Sequence, residues 1–105
     1  MLAACAAPPR SGGTGGCDGQ VQIRNLAPVA VEQLYVSPTG PTNWGRDFFA
    51  TTSLLPGATQ TVRVQPGDNA VRVVFVNGRA AEIAAMDVCA TPILTIQPNG
   101  LLVGR

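Results

Sequence analysis

A chain of 105 residues holds one domain, and its net charge of +1 with only 12% charged residues excludes the basic stripe of a nucleic-acid-binding protein. A hydrophobic content of 46% also excludes an acidic, disordered chain. Val and Thr are frequent and Lys is absent, which favours strands over helices. We therefore expect a single all-β domain.

The N-terminus has the features of a targeting signal rather than of a folded segment. Residues 2–5 (LAAC) resemble the bacterial lipobox, where lipoprotein signal peptides are cut and the cysteine is acylated. The resemblance implies lipid on Cys5 and a true start upstream, because no charged and apolar leader precedes this motif. The alternative is that Met1 is the start and Cys5 an ordinary thiol.

The next residues predict a flexible linker. Residues 6–16 are rich in Gly, Ser and Pro and cannot bury apolar surface, so we expect them to be disordered. This divides the chain into a lipobox remnant with linker, 1–16, and a folded domain, 17–105. No run approaches the roughly 20 apolar residues of a transmembrane helix.

The folded part reads as short strands separated by turn signals every eight to twelve residues or so. The predicted strands are 20–26, 29–37, 51–55, 59–65, 70–76, 79–85, 91–97 and 101–103. Seven to eight such strands predict a small antiparallel β-sandwich, with a small closed barrel as the alternative. Glu32 and Gln33 interrupt the alternation of the second strand, which predicts a bulge or a late start.

Two turns carry the strongest local signals. Pro56 and Gly57 suit the two central positions of a tight turn. Asn77-Gly78 between two apolar runs predicts a hairpin, and this favours strand over helix for 79–85. The preceding run, 70–76, is the most hydrophobic, so we expect a central strand buried on both faces.

The cysteine count suggests a disulfide. If Cys5 carries lipid, Cys17 and Cys89 remain as a pair, and a pair in an exported protein favours a disulfide. The bond would close a loop of about seventy residues and contribute roughly 4 kcal/mol of stability. The alternative is two reduced thiols in a cytosolic protein.

The residues that usually carry catalysis are scarce. The chain has no His, and neither Ser37 nor Ser53 lies in a Gly-x-Ser-x-Gly elbow. The acids show no pairing at metal-ligand spacing, and we expect no metal, cofactor or enzymatic activity. Asp18, Asp68 and Asp87 lie at turns or strand ends, where a carboxylate accepts from backbone N–H groups.

One stretch, 34–49, concentrates the aromatic residues, with the only Trp, the only Tyr and two of the three Phe. Its candidate binding or structural residues are Tyr35, Ser37, Asn43, Trp44, Arg46 and Asp47. In a functional interpretation a small ligand stacks on Trp44, oriented by Arg46 and Asp47. In the structural interpretation, which we favour, Trp44 is a lid on one end of the sandwich. Asp47 then caps the turn at 48–50, and Ser37 and Asn43 pair with loop backbone.

Several motifs together resemble a family of small exported bacterial proteins, mostly proteobacterial. They are LYVSP at 34–38, WGRD at 44–47, LPG at 55–57, VRVVFVNG at 71–78 and DVC at 87–89. The resemblance implies a signal peptide, one β-domain and no established activity. Members often carry a second cysteine just before the strand matching 70–76, and here that place reads PGDN.

These observations lead to one functional expectation and one alternative. We expect a non-enzymatic, lipid-anchored or secreted protein of the bacterial envelope or periplasm. It would serve as a structural or protein-interaction module, monomeric, with an envelope protein as partner. The alternative is a small-ligand-binding β-domain that uses the Trp44 loop.

Overall fold

The computed structural model describes residues 17–105, and the predicted linker with Cys5 lies outside them. The described residues form seven strands and no helix, which confirms the all-β prediction. The strands are β1 (Gln20–Asn25), β2 (Val31–Ser37), β3 (Thr59–Arg63), β4 (Asp68–Phe75), β5 (Ala80–Asp87), β6 (Ile93–Gln97) and β7 (Gly100–Gly104). The predicted strand at 51–55 is reduced to a single bridge between Leu54 and Val31.

The strands form two sheets. Sheet A has the order β3-β1-β6-β7, and sheet B has the order β2-β4-β5. Every neighbouring pair is antiparallel except β1 and β6, which are parallel. The two sheets are thus mainly antiparallel, as predicted, and the β1–β6 pair is the exception among the described strands. After β5 the chain crosses back to sheet A at the end where β1 begins, so β6 runs in the same direction as β1.

Alternation of side chains places the core between the sheets. In β1 the exposed residues alternate with Val21, Ile23 and Asn25, which are buried. The largest fully buried apolar side chains come from both sheets and the segments next to them: Ile23, Val31, Leu34, Val71, Val73, Met86, Val88, Leu94 and Ile96. Burying each of these side chains stabilises the fold by roughly 1.5–3 kcal/mol. The inter-sheet core is therefore mainly aliphatic, with Phe49 as its buried aromatic residue.

The central strand of sheet B is β4, as predicted, but only one of its faces is fully buried. Val71 and Val73 point inward and are 1% or less exposed. Arg72 and Val74 point to the outer face of sheet B and are half-buried. The prediction of burial on both faces was wrong, because no third layer covers this face along the whole strand.

The bulge and the turns follow the sequence closely. Pairing of β2 with β4 shifts between Val31 and Gln33, which confirms the bulge. Gly57 has φ +83° and the N–H of Ala58 donates to the carbonyl of Leu55 at 3.0 Å, so this turn is also confirmed.

The hairpin between β4 and β5 has a different loop from the expected two-residue turn. The N–H of Phe75 donates to the carbonyl of Arg79, and the N–H of Gly78 donates to the carbonyl of Phe75. Within this loop only Gly78 has a positive φ, at +88°. The loop therefore has three residues and ends in a glycine bulge, the usual alternative to the two-residue turn.

The two ends of the sandwich differ. The tether end holds Cys17, the start of β1 and the start of β6. The far end holds the turns that join β1 to β2, β4 to β5 and β6 to β7. At the tether end Cys17 and Cys89 form the predicted disulfide, with their Cα atoms 5.4 Å apart and a sequence separation of 72. The bond fixes the first described residue to the segment that follows β5.

The disulfide yields a direct prediction. In chain produced without lipid on Cys5, thiol labelling of the denatured, unreduced protein should modify Cys5 alone, and all three cysteines should react after reduction. The paired variant Cys17→Ser/Cys89→Ser should lose about 4 kcal/mol in urea unfolding, because a long loop is released in the unfolded state. Cys5→Ser is the matched control and should unfold like the parent chain. Three reactive thiols before reduction would contradict the bond.

Candidate functional site

The long connection from β2 to β3 covers the edge of sheet B that β2 forms. The N–H of Phe48 donates to the carbonyl of Leu34 at 2.7 Å. Val31 and Leu54 exchange two hydrogen bonds, each 2.9 Å. The edge of β2 that faces away from β4 therefore has backbone partners from its own loop. An edge covered in this way cannot pair with a foreign strand at these positions.

Asp47 holds this loop in place. One carboxylate oxygen, Oδ1, accepts from the N–H of Leu34 at 2.9 Å and from the N–H of Phe49 at 2.8 Å. The bond to Phe49 confirms the predicted cap. The bond to Leu34 extends the pairing of the β2 edge by one side-chain acceptor. This oxygen is committed to backbone, so it is not available to orient a ligand.

The tryptophan lies elsewhere than predicted. Trp44 is half-buried and its ring centroid is 6.4 Å from that of Tyr35, with 52° between the planes. Tyr35 pairs with Arg72 and points to the outer face of sheet B. Trp44 thus packs outside the sandwich and is not the lid on the inter-sheet core that we expected. Phe49, only 3% exposed, fills that role, with Phe48 packed beside it.

The other predicted residues divide between structural roles and exposure. The hydroxyl of Ser37 is buried and accepts from the N–H of Thr39 at 3.3 Å, which confirms its pairing with loop backbone. Asn43 is exposed and makes no side-chain hydrogen bond with residues 17–105, so its predicted pairing was wrong. Arg46 is exposed, and its guanidinium carbon lies 4.4 Å from the ring centroid of Phe48, a cation–π contact.

The structure therefore brings Tyr35 and Trp44 together but does not assemble the six candidates into one cleft. Arg46 stacks on a ring, and the single ion pair within the described part of the chain joins Arg72 to Glu82 instead. Neither of the two surface depressions described below is lined by any of the six.

A groove at the far end was missed by sequence reasoning. It has a volume of about 320 Å³ and is bounded by three turns, with Ala27, Phe75, Ala81 and Pro98 among its apolar walls and Arg79 as its charged residue. These residues are far apart in sequence, and no local pattern could have joined them. A second, shallower depression of about 120 Å³ lies on the outer face of sheet A.

The far end also exposes aliphatic side chains. Leu26, Leu55 and Val76, each in or beside a turn at this end, are 58%, 62% and 53% exposed. Isolated exposed apolar residues are ordinary on protein surfaces. Three of them at one end, beside a groove with both apolar and polar lining, mark a surface suited to contact another molecule.

Within residues 17–105, no cluster of three or more His, Cys, Asp and Glu side chains has the placement to hold a metal ion. Two of the acids predicted to satisfy backbone do so. Asp18 Oδ1 accepts from the N–H of Gln20 at 3.2 Å, and Asp87 Oδ1 accepts from the N–H of Cys89 at 3.0 Å. No described element is a helix with the length and apolar character needed to cross a membrane.

Fold and surface together define a small disulfide-bonded β-sandwich with an edge-covering aromatic loop. Comparison with protein-family models, curated proteins and solved structures finds no match to this chain. The resemblance to a family of exported bacterial proteins therefore stays a prediction from the motifs.

The two roles of Asp47 predict a stability effect. Asp47→Ala removes the acceptor of two partly buried N–H groups and should lower the free energy of unfolding by about 2–3 kcal/mol. Asn43→Ala, in the same loop, is the control and should change it by less than about 0.5 kcal/mol. Urea unfolding of the two variants checks this. Equal stabilities would mean that the loop is not held through Asp47.

The aromatic residues predict a second contrast. Phe49→Ala should cost about 3–5 kcal/mol because it empties a buried site. Trp44→Ala should cost only about 1 kcal/mol, the scale of one aromatic pair on an outer face. Thermal and urea unfolding measure both. A Trp44→Ala variant as unstable as Phe49→Ala would restore the lid interpretation.

Proposed function

We propose that this chain is a non-enzymatic protein of the bacterial envelope, anchored by lipid on Cys5 and serving as a protein-interaction module. The observation that carries the proposal is the disulfide between Cys17 and Cys89. Disulfides persist in oxidising compartments and are rare in the cytosol. The bond uses two of the three cysteines and leaves the one in the lipobox-like motif for acylation.

The interaction surface in this proposal is the far end of the sandwich. A protein tethered through residues that precede β1 presents its opposite end away from the attachment point. That end carries the groove and the exposed side chains of Leu26, Leu55 and Val76. A protein partner in the envelope would bury these side chains.

The small-ligand alternative has less support. It needs Arg46 and Asp47 to orient a ligand on Trp44. Asp47 Oδ1 is bonded to two backbone N–H groups, and Arg46 stacks on Phe48. The loop is thereby explained through packing and edge coverage without a ligand.

Metabolic labelling tests the anchor. The chain is expressed in bacteria with its own upstream codons and grown with radiolabelled palmitate. Label should enter the parent chain but not Cys5→Ser. A Cys17→Ser/Cys89→Ser variant should also take up label and should stay in the membrane fraction. Absence of label from the parent chain, with the protein found in the cytosol and its thiols reduced, would contradict the proposal.

A further inference from the structure

The charges of the domain are segregated between its two sheets. No strand of sheet A contains a carboxylate, and its charged residues are Arg24 in β1 and Arg63 in β3. The strands of sheet B contain one arginine, Arg72, and the carboxylates of Glu32, Asp68, Glu82 and Asp87. The near-neutral net charge of the chain conceals this asymmetry.

The strand register puts both arginines of sheet A on its outer face. Arg63 pairs with Gln20, and Arg24 pairs with Thr59 on one side and Thr95 on the other. The arginines are exposed, and their neighbours on this face are uncharged Thr and Gln side chains. The nearest carboxylates along the chain are those of Asp68, five residues after Arg63, and Asp18, six residues before Arg24. Asp18 accepts from the N–H of Gln20.

The same face has an exposed apolar residue beside the shallow depression. Leu102 is 55% exposed and pairs with Thr95. The depression, about 120 Å³, is bordered by Leu102, Arg24 and Arg105 among others. An exposed face with cations beside an aliphatic side chain matches a surface that offers anionic headgroups above an apolar layer.

The preceding residues join the domain next to the start of β1 in sheet A. Cys17 lies three residues before β1, and β1 is an inner strand of sheet A. Cys5 lies twelve residues before Cys17. Even a fully extended segment of that length spans at most about 43 Å. A lipid on Cys5 would thus hold sheet A within a short distance of a bilayer.

We infer that the outer face of sheet A docks on a bilayer containing anionic phospholipid. The inference rests on the proposed lipid anchor. Each arginine near an anionic surface favours binding about fivefold, so Arg24 and Arg63 together give roughly 25-fold. That is negligible for a free protein. For a tethered domain at millimolar effective concentration it is enough to select one orientation.

Fluorescence quenching in lipid-tethered protein tests the docking. The full oxidised chain is joined through Cys5 to a maleimide phospholipid, so the result does not depend on acylation in cells. The reporter is Leu102→Trp in a Trp44→Phe background, and the quencher is a nitroxide on lipid headgroups. Quenching should be at least fivefold stronger in vesicles with 30% phosphatidylglycerol than in pure phosphatidylcholine. It should fall when NaCl is raised from 0.05 to 0.5 M.

Matched variants identify the face. Arg24→Gln/Arg63→Gln should reduce quenching to the neutral-vesicle level. Arg46→Gln/Arg79→Gln removes the same charge outside sheet A and should not, and a reporter at Val74→Trp on sheet B should stay unquenched. Circular dichroism melting confirms that each variant is folded.

Three results would overturn the inference. The first is equal quenching in both vesicle types. The second is an equal loss in the two double variants. The third is retention of the parent chain on immobilised dextran sulfate without quenching in anionic vesicles, which would assign the face to an anionic polysaccharide. Failure of palmitate labelling, in contrast, would contradict the proposed anchor. It would not change the quenching measured with the chain joined to the maleimide phospholipid.

Discussion

A three-stranded sheet has two backbone edges, and the closure of one of them by the chain's own loop is the constraint on which this structure depends. Leu34 in β2 bonds outward to the carboxylate of Asp47 and the N–H of Phe48. Val31, also in β2, exchanges two backbone hydrogen bonds with Leu54 in the same loop. These contacts bring Phe49 into the core and leave Trp44 on the outer face of sheet B. The aromatic loop is thus a part of the fold, because without it β2 would present unpaired backbone to solvent.

The two ends of the sandwich are closed by different means. At the tether end the Cys17–Cys89 disulfide joins the first described residue to the crossover between sheets. At the far end the buried side chain of Asn25 donates to the carbonyls of Val29 and Leu54 and accepts from the N–H of Ala27. One covalent bond and one satisfied amide thus fix the chain where the strands turn.

Local patterns in the sequence predicted what is local in the structure. Alternation, an apolar run and turn signals together predicted the seven strands, and Glu32-Gln33 marked the bulge of β2. The parallel pairing of β1 with β6 was missed because it depends on where the chain crosses between sheets. The position of Trp44 was missed because composition favours burying a lone tryptophan, whereas Phe49 occupies the core. The charge segregation was missed because only the register of β1 with β3 shows that Arg24 and Arg63 lie on the same face of sheet A.

The aromatic loop, the two ends of the sandwich and the outer faces of the sheets have different roles. If the loop is structural, a site centred on Trp44 is not required, and the far end and sheet A are the surfaces that we propose for contact with other molecules. Native-state hydrogen exchange of the Leu34 amide tests this most directly, because its acceptor is Asp47 in the loop. The account predicts protection close to that of the amides of β4, lost only on global unfolding. Exchange as fast as at Thr42, in the exposed part of the loop, would show an open β2 edge and contradict the account.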